Sequence, residues 1–470
     1  MEAIKNGRIT GVVYTPATIV EEILDMSGFT EDFLKDNKDF TVMDLACGEG
    51  AFLTACLRRW LNANKGNKNI GFEDIYNIFR GVDIDEEAIN TCIDRMASIC
   101  SEYGFDFMGG PWNIYCGNAL AKKKSKETYT FVFCNPPYID IHDMTEKQKE
   151  LSEKYYPNCK NLYFAFYKLG MKICSGTMAF ITPREWFTGI AAKELREDIL
   201  KSDFSMEIKD FREEKVFPDA EVLSEITILR KDGNPRYIYR TEEFVTEGTY
   251  EDLKYEKGWF FVSKEEEKEF LDKILSAPSQ KDFVVKNGCA TLLDKVFLSK
   301  KPRFDGDSLE IPFRKATKKA PDNTYYGIFP YNKDGEPLSE EEIKTHTNIY
   351  NYLLSEKEQL EKRKTDTDFW LFGRTQALKD VYRNKLAVNY DGSIIPAEAG
   401  KGVFSGLYIV AKDDTMDYLD FALTIISLFD EDYNKYRKLI GRLKAGSYYV
   451  LSSKDIQKYI DYKLSIKNLT

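Results

Sequence analysis

Histidine is almost absent from this 470-residue chain: there are two, His142 and His346. A Ser-His-Asp or Cys-His mechanism has to use one of them, and neither stands in a nucleophile-elbow pattern. No Cys-x-x-Cys pair and no histidine cluster occurs, so no zinc site is signalled and no metal is expected. The nine cysteines, at 47, 56, 92, 100, 116, 134, 159, 174 and 289, are odd in number and scattered. Several fall in apolar, strand-like runs, which fits reduced thiols in a cytoplasm and not a disulfide frame. No apolar run approaches the roughly 20 residues of a membrane span. Met1-Glu2-Ala3-Ile4-Lys5 lacks the apolar core of a signal peptide, so a cytoplasmic protein is expected. Internal repeats and low-complexity segments are missing too.

What is present is core material. Hydrophobic residues make up 43% and charged residues 31%, the balance of a globular protein of two or three domains. The net charge of −10 argues against nucleic acid only on average, because net charge says little about local fields. Residues 295–319 hold eight basic residues (Lys295, Lys300, Lys301, Arg303, Arg314, Lys315, Lys318, Lys319) against four acids, Asp294 just before the window included. That segment reads either as a solvated loop or as a phosphate-contacting patch.

Residues 1–235 alternate strand-like and helix-like patterns. Strands are expected over Thr41–Cys47, Ile78–Ile84, within Asn113–Leu120, and over Thr128–Cys134, Gly176–Thr182, Met206–Phe211 and Glu225–Arg230. Helices are expected over Ala51–Asn64, after Asp85, and over Leu162–Ile173 and Ala191–Lys201. This alternation predicts an α/β fold: a doubly wound, mostly parallel Rossmann-like sheet with an antiparallel edge strand. Residues 236–285 are polar and read as a connecting region. Residues 286–470 mix short strands, charged helices and many tyrosines, and are expected to form a mixed α+β domain. Ser339 with Glu342 signals a helix start there, and a second helix is expected over Ile349–Lys364.

Four strand ends carry chemistry. Asp44-Leu45-Ala46-Cys47-Gly48-Glu49-Gly50-Ala51-Phe52 is a glycine loop, where small residues allow a tight turn and close ligand approach. Asp83, ending the second strand, suits the two hydroxyls of a ribose, while Asp85 suits a helix cap. Gly117-Asn118-Ala119 places an amide where it reaches an adenine edge or closes a turn. Asn135-Pro136-Pro137-Tyr138 follows the apolar run Phe131-Val132-Phe133-Cys134. Two prolines fix φ twice and remove two donors, giving a rigid corner. Its amide, carbonyls and ring suit a planar base bearing an amine. In a doubly wound sheet all four ends meet on one edge.

These residues resemble the gamma class of S-adenosylmethionine-dependent DNA adenine-N6 methyltransferases, of the type II or solitary kind. Asp44, Gly48, Gly50 and Phe52 match the cofactor loop, Asp83 the ribose acid, and Asn135–Tyr138 the catalytic Asn-Pro-Pro-Tyr. Tyr14-Thr15-Pro16 resembles the element that covers the methionine part of the cofactor. Asn118 stands where the family usually has Asp. Asn161–Phe166 and Thr182–Trp186 resemble further segments, and Val216–Ala220 the one that supplies a second aromatic. The resemblance implies S-adenosylmethionine as cofactor and S-adenosylhomocysteine as product. It implies a cofactor site of Tyr14, Thr15, Pro16, Asp44, Ala46, Cys47, Gly48, Gly50, Phe52, Asp83, Ile84, Asn118, Ala119 and Asn135. Catalysis falls to Asn135, Pro136, Pro137 and Tyr138, with Tyr138 and Phe217 stacking on the target base. Segments 291–297, 329–331, 352–363 and 370–374 resemble DNA target-recognition domains. They imply double-stranded DNA as partner, a cognate restriction endonuclease as a further one, and a bacterial or archaeal nucleoid setting. Lys300, Lys301, Arg303, Arg314, Lys315 and Arg374 are the candidate DNA contacts.

Other readings stay open. Cytosine-N4 methylation uses the same amine chemistry. Glutamine methylation of proteins also uses Asn-Pro-Pro-Tyr, without the Tyr14-Thr15-Pro16 element or a large C-terminal domain. Pro321-Asp322 with Glu342-Ile343-Lys344 superficially resembles a nuclease signature, although that Glu lies in a helix-start pattern. A non-catalytic DNA-binding subunit has no use for an intact Asn135–Tyr138.

Overall fold

A computed structural model describes every residue except 1–3, 6–7, 10–14, 68–69, 106–110, 122–126, 158, 213, 218–221, 254–257, 263, 305, 316–323, 390–391, 405, 445–447 and 468–470. The chain divides into two compact units, Met1–Ser263 and Lys264–Thr470.

The first unit is built on a nine-stranded sheet. Its strands in chain order are β1 (Val42–Asp44), β2 (Phe79–Asp83), β3 (Ile114–Cys116), β4 (Tyr129–Cys134), β5 (Cys174–Pro183), β6 (Ser205–Asp210), β7 (Ser224–Arg230), β8 (Arg236–Arg240) and β9 (Val245–Thr249). Their order across the sheet is β9-β8-β6-β7-β5-β4-β1-β2-β3. Strands β3, β2, β1, β4 and β5 run parallel. Helices α1 (Ala17–Ser27), α2 (Ala51–Ala63) and α3 (Glu86–Glu102) cover one face, and α4 (Glu146–Glu153), α5 (Leu162–Ile173) and α6 (Lys193–Leu200) the other. The period-2 alternation of β4 explains how both faces are filled. Phe131 and Phe133 join the core under α1 and α2, while Val132 and Cys134 join the core under α5.

Two expectations need correction. The antiparallel strand expected over Glu225–Arg230 is not the edge strand: β7 lies between β5 and β6 and pairs antiparallel with both, while the antiparallel strand at the edge is β9. The first six residues of β7 are all buried, so both faces are covered and both sides of its backbone are paired. Nor is 236–285 a connector. Strand β8 adds parallel to β6, and β9 closes the edge antiparallel to β8. The alternating exposure of Val245–Thr249 marks a half-solvated edge strand, which polar composition disguises.

The second unit holds two four-stranded sheets. One orders Phe283–Asn287, Leu407–Ala411, Lys385–Val388 and Ile394–Ala397; the other orders Leu298–Ser299, Thr324–Ile328, Glu310–Lys315 and Gly402–Phe404. Ser339 caps helix Glu340–Thr345 in a reciprocal box with Glu342. That carboxylate is thereby committed to a helix end and not to a nuclease site; Pro321-Asp322 lies outside the described residues. The helix expected over Ile349–Lys364 is instead two, Thr347–Ser355 and Lys357–Glu361. Among the described residues no helix is long and apolar enough to cross a membrane.

Candidate active site

Parallel register decides where the site forms. Asp44 pairs with Gly81 and Phe133, and Asp83 with Cys116. The ends of β1–β4 therefore open on one edge. A cavity of about 340 Å³ lies there, within the size range of small-molecule and cofactor sites.

Strand β1 hands over to α2 through the glycine loop. Gly48 and Gly50 have φ of 49° and 87°, a region that costs other residues energy. A Cβ on Gly50 would lie 2.5 Å from Cys92 Sγ on α3, so this glycine also lets the loop press against the next helix. Gly50→Ala is expected to lower stability by about 2–4 kcal/mol, adding left-handed strain to overpacking. A shift of the denaturant midpoint measures it; an unchanged midpoint would show that the loop relaxes freely. Arg95 on α3 pins the same loop by donating to the Glu49 carbonyl at 3.1 Å and pairing with its carboxylate at 2.5 Å.

Two acids face the cavity differently. Asp83 accepts the Gly48 amide at 2.8 Å on one oxygen and the Asp85 amide at 3.0 Å on the other. Each oxygen keeps a lone pair for a further donor such as a sugar hydroxyl. Asp85 caps α3 by accepting from the Glu87 and Ala88 amides. Asp44 is buried. Burial pushes its carboxyl up to about 8 against the opposing Ala46 amide bond, and the nearby Asp83 adds to the rise. Burial likewise holds the Cys134 thiol well above its ordinary range, with Asp44 and Asp83 reinforcing it, so no thiolate nucleophile stands at this corner.

The polar corner is tightly held. Asn135 Nδ2 donates to Thr15 Oγ1 at 3.0 Å, immediately before α1. The Tyr138 hydroxyl lies 2.6 Å from Asn135 Oδ1 and 2.9 Å from the Ile181 carbonyl oxygen, and donates its single proton to one of them. The Tyr138 ring meets Tyr163 and Phe217 at 6.1 and 6.4 Å between centroids, edge to face. Opposite the acids, Ile139, Leu151 of α4, and Leu162 and Phe166 of α5 make an apolar wall. A slot with hydroxyl acceptors at one end, apolar walls, and an amide corner at the other suits a nucleoside bearing a short polar tail.

The structure brings Thr15, Asp44, Ala46, Cys47, Gly48, Phe52, Asp83, Ile84, Asn118, Ala119, Asn135 and Pro137 to the cavity. Pro16, Gly50, Pro136 and Tyr138 do not line it. Tyr14 lies outside the described residues. Asn118 Oδ1 accepts the Leu120 amide at 2.9 Å, which closes a turn. Phe217 is buried at 1% exposure. Leu151, Phe166, Gln148 and Arg95 were not foreseen. They sit on helices at core-like spacing, so nothing in the local pattern separates them from ordinary packing residues. Neither histidine lines the cavity, and among the described residues no three acids, histidines or cysteines cluster as for a metal.

The basic window is only partly outward. Arg303 is drawn in: its guanidinium donates to the Val296 and Phe297 carbonyls at 2.8 and 2.9 Å and to the Tyr352 hydroxyl at 2.9 Å. Its candidacy as a DNA contact is therefore withdrawn, because both terminal nitrogens of its guanidinium are engaged within the fold. Lys300 lies over the Tyr325 ring at 3.9 Å, and Lys315 reaches the same ring and Phe404. Arg314 donates to the Pro396 carbonyl and the Thr324 hydroxyl. Lys301 and Arg374 are exposed.

Residues 43–217 match the Eco57I restriction-modification methylase family. The type II methyltransferase M.BstVI of Geobacillus stearothermophilus is 28% identical over 210 residues, covering 41% of this chain and 36% of that protein. M.XhoI of Xanthomonas vasicola is 23% identical over 209 residues, covering 42% of this chain and 37% of that protein. The match thus spans little more than a third of either relative. Among solved structures, the type IIL restriction-modification enzyme MmeI, in complex with DNA, superposes with a TM-score of 0.63 at 15% identity. It covers 93% of this chain and 65% of that one. The ATP-dependent type ISP restriction-modification enzyme LlaBIII, bound to DNA, has a TM-score of 0.60 at 13% identity, over 99% of this chain and 40% of that one. At such identities these two likenesses speak for the fold. Residues 43–217, the stretch that matches the Eco57I restriction-modification methylase family, carry the glycine loop, Asp83 and the Asn-Pro-Pro-Tyr corner.

Proposed function

We propose that the chain transfers a methyl group from S-adenosylmethionine to N6 of an adenine flipped out of duplex DNA. The observation that carries this reading is the single cavity running from Asp83 and Asn118 to Asn135 and Pro137. The residues fit the cofactor. Asp83 offers lone pairs to a ribose, Ile84 and the Leu162–Phe166 wall offer apolar faces to a purine, and the acids Asp44 and Asp83 suit a cationic ligand. When bound, the cofactor supplies an electrophilic methyl on a sulfonium. The chain's own part is positioning, which lowers such barriers by several kcal/mol.

An adenine amine is paired and stacked inside a duplex, so the base has to leave the stack. Asn135 Oδ1 and the Pro136 carbonyl would then accept its two N–H groups and aim the nitrogen lone pair at the methyl. In the present state the Tyr138 hydroxyl stands at Asn135 Oδ1. Tyr138 therefore has to turn aside before the amine enters, which frees its ring to stack on the base, with Phe217 as second platform. Lys300, Lys301, Arg314, Lys315 and Arg374 of the second unit are proposed for the phosphates, with that unit as the target-recognition domain. A cognate endonuclease is proposed as genetic partner, in the cytoplasm of a bacterium or archaeon.

Labelled S-adenosylmethionine and plasmid DNA, followed by digestion to nucleosides, test the assignment. Label in N6-methyladenine is expected. Label in N4-methylcytosine would move the substrate to cytosine, and label in protein would reject DNA altogether. Tyr138→Phe removes only the hydroxyl competing for Asn135, so kcat is expected within about threefold of the parent, with KM for DNA unchanged or lower. Tyr138→Ala loses base stacking worth about 1–3 kcal/mol, so kcat/KM should fall roughly 10- to 100-fold. Equal losses in both variants would show that the hydroxyl, not the ring, is what matters.

A further inference from the structure

Leu292 is held in the left-handed region at φ 60° with its side chain 41% exposed. For a branched L-residue that backbone is disfavoured, and here little apolar burial compensates. The surroundings enforce it. The Thr291 carbonyl accepts from the buried Arg363 at 2.9 Å and from the Gly373 amide at 3.1 Å. The Thr291 hydroxyl donates to Asp294 at 2.6 Å and accepts from the Leu293 amide at 3.0 Å. Gly373 makes room: a Cβ there would lie 2.5 Å from Leu292 Cγ and Cδ1. Ala377 nearby also has a positive φ, 67°. Two of the three non-glycine residues with positive φ among those described thus fall on adjoining loops, tied together by Gln376 donating to the Gly288 carbonyl at 2.5 Å.

The place is concave, and two cations stand close to its lining in the chain. Residues 287–294, with Gln376 and Gly406, line a shallow basin of about 450 Å³. Arg374, which pairs with Ala290 through the backbone, and Lys295 are both exposed. Neither side chain takes a hydrogen bond or ion pair among the described residues. The acid on the rim, Asp294, is engaged by Thr291. Strain that the surroundings over-determine gathers at ligand contacts, and an apolar side chain held out between unpaired cations matches the way leucine wedges enter a base step while lysine and arginine take phosphates.

We infer that Leu292 is a duplex-DNA contact, an apolar wedge set against a base step and flanked by Arg374 and Lys295 on the phosphates. This rests on the DNA reading above but is tested apart from it. Leu292→Gly suits the test because glycine accepts this φ without cost, so folding is preserved while the side chain is lost. The probes are plasmid DNA and a short duplex from it spanning a mapped methylated position, with 2-aminopurine placed at each step in turn. Leu292→Gly is expected to weaken plasmid binding about tenfold, or about 1.4 kcal/mol, and to abolish a 2-aminopurine signal the parent produces at one step. It should leave S-adenosylmethionine binding unchanged. Lys295→Gln with Arg374→Gln is expected to lower the salt slope of binding by about two. Parent-like affinity and signal in Leu292→Gly would overturn the inference. So would a loss of self-association in place of DNA binding, which would make the basin a protein contact. If the parent methylates no DNA, the proposed function fails by itself, and plasmid binding by parent and variants still decides Leu292.

Discussion

Asn135→Ala is expected to reduce methyl transfer about a thousandfold, at the upper end of what one preorganised transition-state contact contributes. Ground-state binding should hardly change. The amide has two jobs at its two ends. Nδ2 donates to Thr15 Oγ1 and so ties the corner after β4 to the start of α1, while Oδ1 is the acceptor that Tyr138 covers. In the proposed reaction only Oδ1 would meet the amine, and it would matter most as that nitrogen acquires positive charge during attack. The loss should therefore fall on kcat. Affinity for S-adenosylmethionine, measured by calorimetry, is expected within about fivefold of the parent, because losing one neutral hydrogen bond at the rim costs about 1 kcal/mol. Asn135→Asp sharpens the point. It keeps an acceptor but loses the donor to Thr15 and adds charge beside Asp44 and Asp83. Activity should stay far below the parent, and rescue by Asp would mean that the Thr15 tie is dispensable. A variant Asn135→Ala that turned over within tenfold of the parent would end the proposed role.

How much of this was legible before the fold was seen depends on how local the determinant is. The corner at 135–138 was readable because prolines and an apolar run act within four residues. Asp83 and Asp85 were readable because a strand end and a helix cap leave short-range marks. The interior position of β7 was not: a six-residue buried run states that a strand is covered, and says nothing about which neighbours flank it. Strands β8 and β9 were missed because edge strands keep half their side chains in water and so read as polar connector. The Tyr138 hydroxyl at Asn135 depends on a β5 carbonyl at Ile181, over forty residues on, and no spacing rule reaches that far. Arg303 was misplaced for the same reason. Its charge suggested an outward contact, yet it serves carbonyls at 296 and 297 and a hydroxyl at 352. Leu292 is one residue of the 291–297 segment in the sequence, and only its φ and exposure set it apart.

Asp44 is expected to make cofactor binding a proton-linked event. Its carboxyl is pushed up to about 8, first by burial and then by Asp83, against the Ala46 amide. Near pH 7 the empty site therefore holds Asp44 mostly protonated. A cationic ligand favours the carboxylate, so binding of S-adenosylmethionine should release close to one proton at pH 7, seen as a dependence of calorimetric heat on buffer ionisation enthalpy. Affinity should rise with pH up to about 8 and then level off. S-adenosylhomocysteine, which lacks the sulfonium charge, should show a shallower rise. The stability of the empty protein has the opposite sign. The native carboxyl binds its proton more tightly than the unfolded one, whose value is the ordinary 3.8. Over the window from about 4 to about 8 the native state therefore holds more protons, and the contribution of this residue to stability falls as pH rises. Asp44→Asn keeps an acceptor for Ala46 and removes the charge. The empty variant is expected to melt above the parent at pH 8 and close to it near pH 4. At pH 8 it should bind S-adenosylmethionine at least about tenfold more weakly, since the charged hydrogen bonds or pairings it forgoes are worth roughly 1.5–3 kcal/mol. Its affinity should no longer vary with pH in this window. A variant that bound more weakly yet still released a proton would place the titrating group elsewhere in the cavity. A buried acid that destabilises the empty fold and is ionised as a cationic ligand binds would serve binding at the expense of stability.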